Sequence, residues 1–169
     1  MSRPAVFMHL PEAISIRPAQ AADFAALNGV IERAISTWNL PERVKRLSLP
    51  SYRYQAHDLD HLHIVVAEDE AHAIVGVAAW EDANLRDLPQ GKRGLLLHGI
   101  YVDPAQQQRR IGSRLLDAAR QAACAGGFDG LLVKAQADAN GFFAARGMTR
   151  LAVENPERDY PHRYWQACS

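Results

Sequence analysis

Residues 94–116 constrain the fold of this chain more tightly than any other segment. Gly94, Leu95, Leu96, Leu97, Ile100 and Val102 make a run apolar enough for a strand buried on both faces. Ile111, Leu115, Ala118, Ala119 and Ala122 then recur at helical spacing, and Gly126-Gly127 supplies a stop. Between them lies a short basic turn opened by Asp103-Pro104 and closed by Arg109-Arg110. A strand that turns so directly into a helix presents the first helix amides without intrahelical partners, at the positive end of the peptide dipoles. Such a turn can hold a phosphate or a diphosphate. Arg109 and Arg110 add full charges, and Gly112 lets the backbone come close.

The remaining elements follow from periodicity. A short strand at 14–18 ends at Pro18, and residues 21–37 carry Phe24, Leu27, Val30, Ile31 and Ala34 on one helical stripe. A second, shorter helix is expected within 41–47, then strands at 61–68 and 73–80 and a polar loop at 81–93. Leu131, Leu132 and Val133 mark a buried strand at 130–135. A helix at 137–145 ends at Arg146-Gly147, and strands at 148–153 and 160–166 close the order. Strands and helices mixed in this way predict one α/β (α+β mixed) unit spanning 13–169, preceded by a tail at 1–12.

Bulk properties narrow the function classes. A chain of 169 residues can bury roughly 70% of its unfolded surface. Its formal net charge of zero argues against nucleic acid or an anionic membrane as partner. The longest apolar stretch, 73–80, is too short to span a bilayer. Cys124 and Cys168 are read as two separate thiols, without a disulfide framework or a metal pattern. His57, His61 and His63 evoke a metal cluster, but no Cys or carboxylate joins them in ligand spacing, so no metal is expected. A cytoplasmic protein is the expectation.

The segment Gln107-Gln108-Arg109-Arg110-Ile111-Gly112 resembles the coenzyme-A-binding signature of the GNAT superfamily of acyl-coenzyme A-dependent N-acyltransferases, Gln/Arg-x-x-Gly-x-Gly/Ala. It departs where the usual Gly is Arg110, which predicts an ordinary helical or bridge conformation there. A second segment, 136–148, is similar to the family pattern Asn-x-x-Ala-x-x-Phe-Tyr-x-x-x-Gly-Phe. The resemblance covers 13–166. It implies a splayed mixed sheet of about seven strands flanked by about four helices, with acetyl-coenzyme A as cosubstrate. The cofactor would enter where the strand at 94–102 parts from that at 130–135. The resemblance assigns cofactor contacts to Ile100, Tyr101, Val102, Gln107, Gln108, Arg109, Arg110, Ile111, Gly112 and Ser113. Gln136 or Asn140 would bond the pantetheine arm, beside Phe143.

Many relatives carry a tyrosine at the position of Phe143, where it protonates the departing thiolate. Phenylalanine has no such proton, so Tyr101, Tyr160 and Tyr164 become the candidate donors. A proton acceptor is also needed for the attacking ammonium. His98 is the first candidate, on the strand that lines the acyl site, because imidazole is the side chain suited to accepting a proton near neutral pH. A half-buried histidine bonded to a neighbouring carbonyl accounts for it equally well. Glu81 is the second candidate, with a surface carboxylate as its plainer reading. Trp38, Tyr52, Tyr54 and His57 fall in the region that shapes acceptor pockets in relatives. The aromatic ending 159–165 brings Tyr160 and His162 toward the same site, since the last strands border it in the family.

The expected activity is acetyl transfer to a primary amine of a small molecule or peptide, in a ternary complex. A different acyl group or a hydroxyl acceptor would keep the same fold. A catalytically weak coenzyme A sensor or partner-binding domain is the alternative that Phe143 keeps open. Edge strands in such sheets often pair, so a homodimer is a further expectation.

Overall fold

The computed structural model describes residues 14–106, 109–136 and 139–168. Seven strands form one sheet: β1 (Ser15–Pro18), β2 (His63–Glu68), β3 (Ile74–Asp82), β4 (Gly94–Val102), β5 (Gly130–Lys134), β6 (Thr149–Arg150) and β7 (Arg163–Ala167). Their spatial order is β1-β2-β3-β4-β5-β7-β6. Every neighbouring pair is antiparallel except β4 and β5, which run parallel through a helical crossover. Four helices complete the fold: α1 (Phe24–Ser36), α2 (Glu42–Tyr52), α3 (Ile111–Ala125) and α4 (Asn140–Ala145).

The sheet separates two cores. On one face the α1 stripe of Phe24, Leu27, Val30, Ile31 and Ala34 packs on Val66, Val77, Ala79 and Tyr101. On the other, Ile111, Leu115, Leu116, Ala119 and Ala123 of α3 pack on Leu95, Leu97, Leu131 and Val133, with Phe143 and Tyr164 alongside. The apolar run of β4 and β5 is thus explained by helices on both faces of the sheet. By contrast, α2 has no buried residue, and Leu47 is 70% exposed.

Several sequence expectations change. The second helix runs to Tyr52 with Pro50 inside it, well past the expected 47. The strand expected at 148–153 shrinks to Thr149–Arg150, and the last strand begins at Arg163 rather than 160. The tail at 1–12 lies outside the described residues. The largest correction concerns the cysteines: Cys124, near the end of α3, is disulfide-bonded to Cys168. They are 44 residues apart, so no local spacing betrays the pair. The topology alone brings the end of α3 beside the end of β7, where Cys168 N–H also donates to the Asp129 carbonyl at 2.7 Å.

Closing so long a loop limits the unfolded ensemble by up to about 4 kcal/mol on chain-entropy grounds. Reduction with dithiothreitol is therefore expected to lower the Tm, and Cys124→Ser to lower it similarly with no added effect of reductant. Calorimetry with and without reductant checks this.

Candidate active site

The site begins where β4 and β5 stop pairing. Their parallel register runs from Gly94 opposite Gly130 to Leu97 opposite Val133 and goes no further. Beyond it β5 keeps β7 as a partner to Lys134, while β4 continues to Val102 bonded only to β3. A cavity of about 600 Å³ opens in the gap, lined by Leu97–Tyr101 on one side and 133–136 on the other. Trp38, Tyr52 and Phe143 wall it. This volume suits a small-molecule ligand.

A β-bulge arms this cavity. The register moves from Ala79 opposite Gly99 to Trp80 opposite Leu97, so His98 is an extra residue without a cross-strand partner. The insertion reverses which side chains face which helix layer. Leu95 and Leu97 face the α3 core before it; Ile100 and Val102 do so after it, and Tyr101 turns to the α1 core. His98 is exposed at the cavity, and its Nδ1 lies 2.9 Å from the Tyr54 hydroxyl. Tyr54 is only 3% exposed, and burial holds its phenol far above the ordinary pKa, so the hydroxyl stays neutral. Glu81 sits on β3 opposite Leu96, half-buried and outside the cavity lining.

A second cleft of about 460 Å³ continues from the first, sharing Ile100, Ala139 and Phe143 with it. Its floor is the start of α3, with Arg110, Ile111, Gly112 and Ser113. The N–H groups of Ile111, Gly112 and Ser113 belong to the first turn, which has no intrahelical acceptors for them. Arg110 is the N-cap at φ 57°, ψ 26°, in the left-handed region. This corrects the expectation of an ordinary conformation: the chain keeps a glycine-type turn and bears the strain of a side chain there, of order 1–2 kcal/mol. Strain held at a ligand-facing turn is a frequent mark of a functional position.

Arg146 forms the far wall of this cleft and was read from sequence only as a helix end. Its Nε donates to Ser113 Oγ at 2.7 Å, one Nη to the Phe142 carbonyl at 2.9 Å, and the guanidinium lies 3.7 Å from the Phe142 ring centre. A Cβ on Gly112 would come within 3.3 Å of the Phe142 ring, so the glycine also lets α4 close against α3. Amides at a helix N-terminus flanked by two guanidinium groups, in a cleft leading to the β4–β5 gap, fit a diphosphate with a long attached arm.

The remaining candidates are dispersed. Gln107 and Gln108 lie outside the described residues. Arg109 donates to Gln106 Oε1 at 2.6 Å and approaches Glu70 at 3.7 Å. Gln136 lines the cavity, and its Nε2 donates to the Tyr52 hydroxyl at 3.1 Å. The Asn140 amide is 3.2 Å from Nδ1 of His162, outside the cavity lining. Tyr160 is 37% exposed and donates its hydroxyl to the Ala135 carbonyl at 3.0 Å, while Tyr164 is buried behind Phe143. Of the three candidate acids, Tyr101 alone lines the cavity. His63 stacks with Trp80, and His57 and His61 each lie near Asp58.

Comparison with known proteins agrees with this geometry. The family model described as the acetyltransferase (GNAT) domain matches residues 60–148. The chain belongs to the GNAT acetyltransferase family. No curated protein sequence matches it. Among solved structures, it is similar to a GNAT acetyltransferase of Brucella melitensis in complex with acetyl-CoA. That pair shares 17% identity and a TM-score of 0.65, covering 93% of this chain and 89% of the other. The PaiA N-acetyltransferase of Thermoplasma acidophilum, in complex with coenzyme A, gives 14% identity and a TM-score of 0.69, covering 92% and 99%. AtaT, complexed with acetyl-methionyl-tRNAfMet, gives 17% and 0.60, covering 92% and 95%. At these identities the likeness is one of fold. The segment that resembles the GNAT signature opens α3, and Arg110, where that pattern has glycine, is left-handed.

Two variants probe the cradle. Gly112→Asp sets a carboxylate against the expected phosphate and should weaken coenzyme A binding by roughly tenfold or more, about 1.4 kcal/mol or above. Arg110→Gly relieves the left-handed strain and should keep or raise the Tm while weakening coenzyme A several-fold through the lost charge. Calorimetric titration with coenzyme A, beside the Tm of each free variant, checks both.

Proposed function

We propose that this GNAT protein transfers the acetyl group of acetyl-coenzyme A to a primary amine of a small molecule or peptide within a ternary complex. The observation that carries the reading is the continuity of the two clefts: an anion cradle at α3 leads through Ile100, Ala139 and Phe143 into the gap between β4 and β5. Bound there, the cosubstrate supplies an activated thioester. Ile111, Gly112 and Ser113 amides, with Arg110 and Arg146, bind its diphosphate. The β4 edge from His98 to Val102, freed from β5, offers backbone groups to the amide-bearing arm.

The protein's contribution to rate is positioning, worth several kcal/mol, and proton handling. His98 accepts a proton from the acceptor ammonium. Tyr101, its phenol held neutral by burial at the cavity wall, donates toward the departing thiolate in place of the tyrosine that Phe143 replaces. Glu81 and Tyr160, both outside the cavity lining, have supporting roles at most in this reading. A small amine rather than a nucleic acid is favoured by zero net charge, and Lys134 at the cavity is already paired with Asp87 at 2.9 Å. No helix among the described residues is long and apolar enough to cross a membrane. The reading keeps the protein in the cytoplasm, where acetyl-coenzyme A is made and where thiol reductants would oppose the Cys124–Cys168 bond.

A thiol-release assay with acetyl-coenzyme A and a panel of 2-phenylethylamine, spermidine and a lysine-containing peptide tests the proposal. Thiol release that depends on at least one amine is expected, falling roughly 10²-fold in His98→Gln with coenzyme A affinity retained. Tight coenzyme A binding with only slow, amine-independent hydrolysis would favour the sensor.

A further inference from the structure

The His98 ring does not stand alone at the cavity. Tyr54 follows α2 and is locked from both sides by one side chain: Asn28 Nδ2 donates to the Tyr54 carbonyl at 2.8 Å, and Tyr54 N–H donates to Asn28 Oδ1 at 2.9 Å. With its backbone pinned on α1 and its ring 3% exposed, the phenol has little freedom, and its oxygen meets His98 Nδ1 at 2.9 Å. Among the described residues His98 is the hydrogen-bond partner of that hydroxyl. Asp58, Glu81 and Tyr101 are the other titratable groups close enough to act on Tyr54.

We propose that Tyr54 is the positioning residue for proton transfer, orienting the His98 ring and accepting a hydrogen bond from its Nδ1–H when Nε2 takes a proton from the acceptor ammonium. This rests on the acetyltransferase reading above. Which imidazole nitrogen is free is set by the bond the other one makes. Nε2 can accept only if Nδ1 carries a proton, and a proton on Nδ1 needs an acceptor. A neutral hydroxyl with two lone pairs serves that need. In the transfer itself, one ammonium N–H bond breaks and one Nε2–H bond forms. The imidazolium then holds its Nδ1–H on the phenol oxygen, and the amine lone pair is released for attack. The imidazolium later returns its proton to solvent. A bond to a charged donor is about twice as strong as a neutral one, so the partner matters most once the ring is charged.

Tyr54→Phe keeps the ring and removes only the hydroxyl. With the amine that turns over best in the panel, its kcat should fall roughly tenfold, while coenzyme A affinity and Tm stay near those of the parent. Nitrogen-15 NMR of histidine-labelled protein supplies a readout that packing alone does not move and that needs no substrate. In the parent, neutral His98 should show the shifts of the Nδ1–H tautomer; in Tyr54→Phe they should collapse to the averaged values of free imidazole. Averaged shifts or those of the Nε2–H tautomer in the parent, or an unaltered kcat in the variant, would overturn the proposal. Were Tyr54→Phe to fold poorly, the parent spectrum alone would still decide it. Absence of amine-dependent turnover in the parent, with a single His98 tautomer, would instead count against the acetyltransferase reading.

Discussion

The parting of β4 from β5 governs the rest of this molecule. Two parallel strands that twist with the same hand can hold their ladder for only part of their length here, from Gly94 and Gly130 to Leu97 and Val133. β5 then remains bonded to β7, and β4 to β3, so the gap between them is lined by backbone that the sheet leaves unused. Buried backbone groups demand partners. In the proposed function, a ligand arm with its own amides, lying along that edge like a further strand, meets the demand. The opening is therefore a consequence of the sheet's geometry, and Tyr52 of α2 and Phe143 of α4 wall it.

The bulge at His98 translates that geometry into chemistry. Without the extra residue, Tyr101 and Ile100 would exchange faces, and no β4 side chain would be left to point into the gap without a cross-strand neighbour. The same local insertion thus fills both cores and presents an imidazole. A similar economy operates at α3. The left-handed Arg110 starts the helix at an angle that turns its free amides toward the cleft, and Gly112 admits Phe142 close enough for Arg146 to lie over the ring. Strain at one residue and the absence of a side chain at another shape the second cleft together.

Much of this was legible in the residues. The β4–turn–α3 unit, the α1 stripe and the buried β5 run depend on local periodicity, and they stand within about three residues of their expected bounds. What was misread depends on contacts distant in sequence. Arg110 was judged by intrinsic preference, which favours an ordinary conformation, whereas packing of the turn imposes another. Arg146 carries no local mark of a cleft residue; it reaches Ser113, 33 positions away, only because α4 folds back on α3. The Tyr160 hydroxyl donates to the carbonyl of Ala135, 25 positions away, a pairing that local pattern does not show.

The sequence by itself determined the elements, their order and the place of the basic turn that opens α3, because each is encoded by spacing within one segment. Tertiary structure alone decided that Cys124 meets Cys168 and that Arg146 joins the cradle. It also decided that Tyr54, pinned by Asn28, stands behind His98. These pairings join residues 26 to 44 positions apart, and no local pattern can fix the distance between two segments before the sheet that carries them has formed.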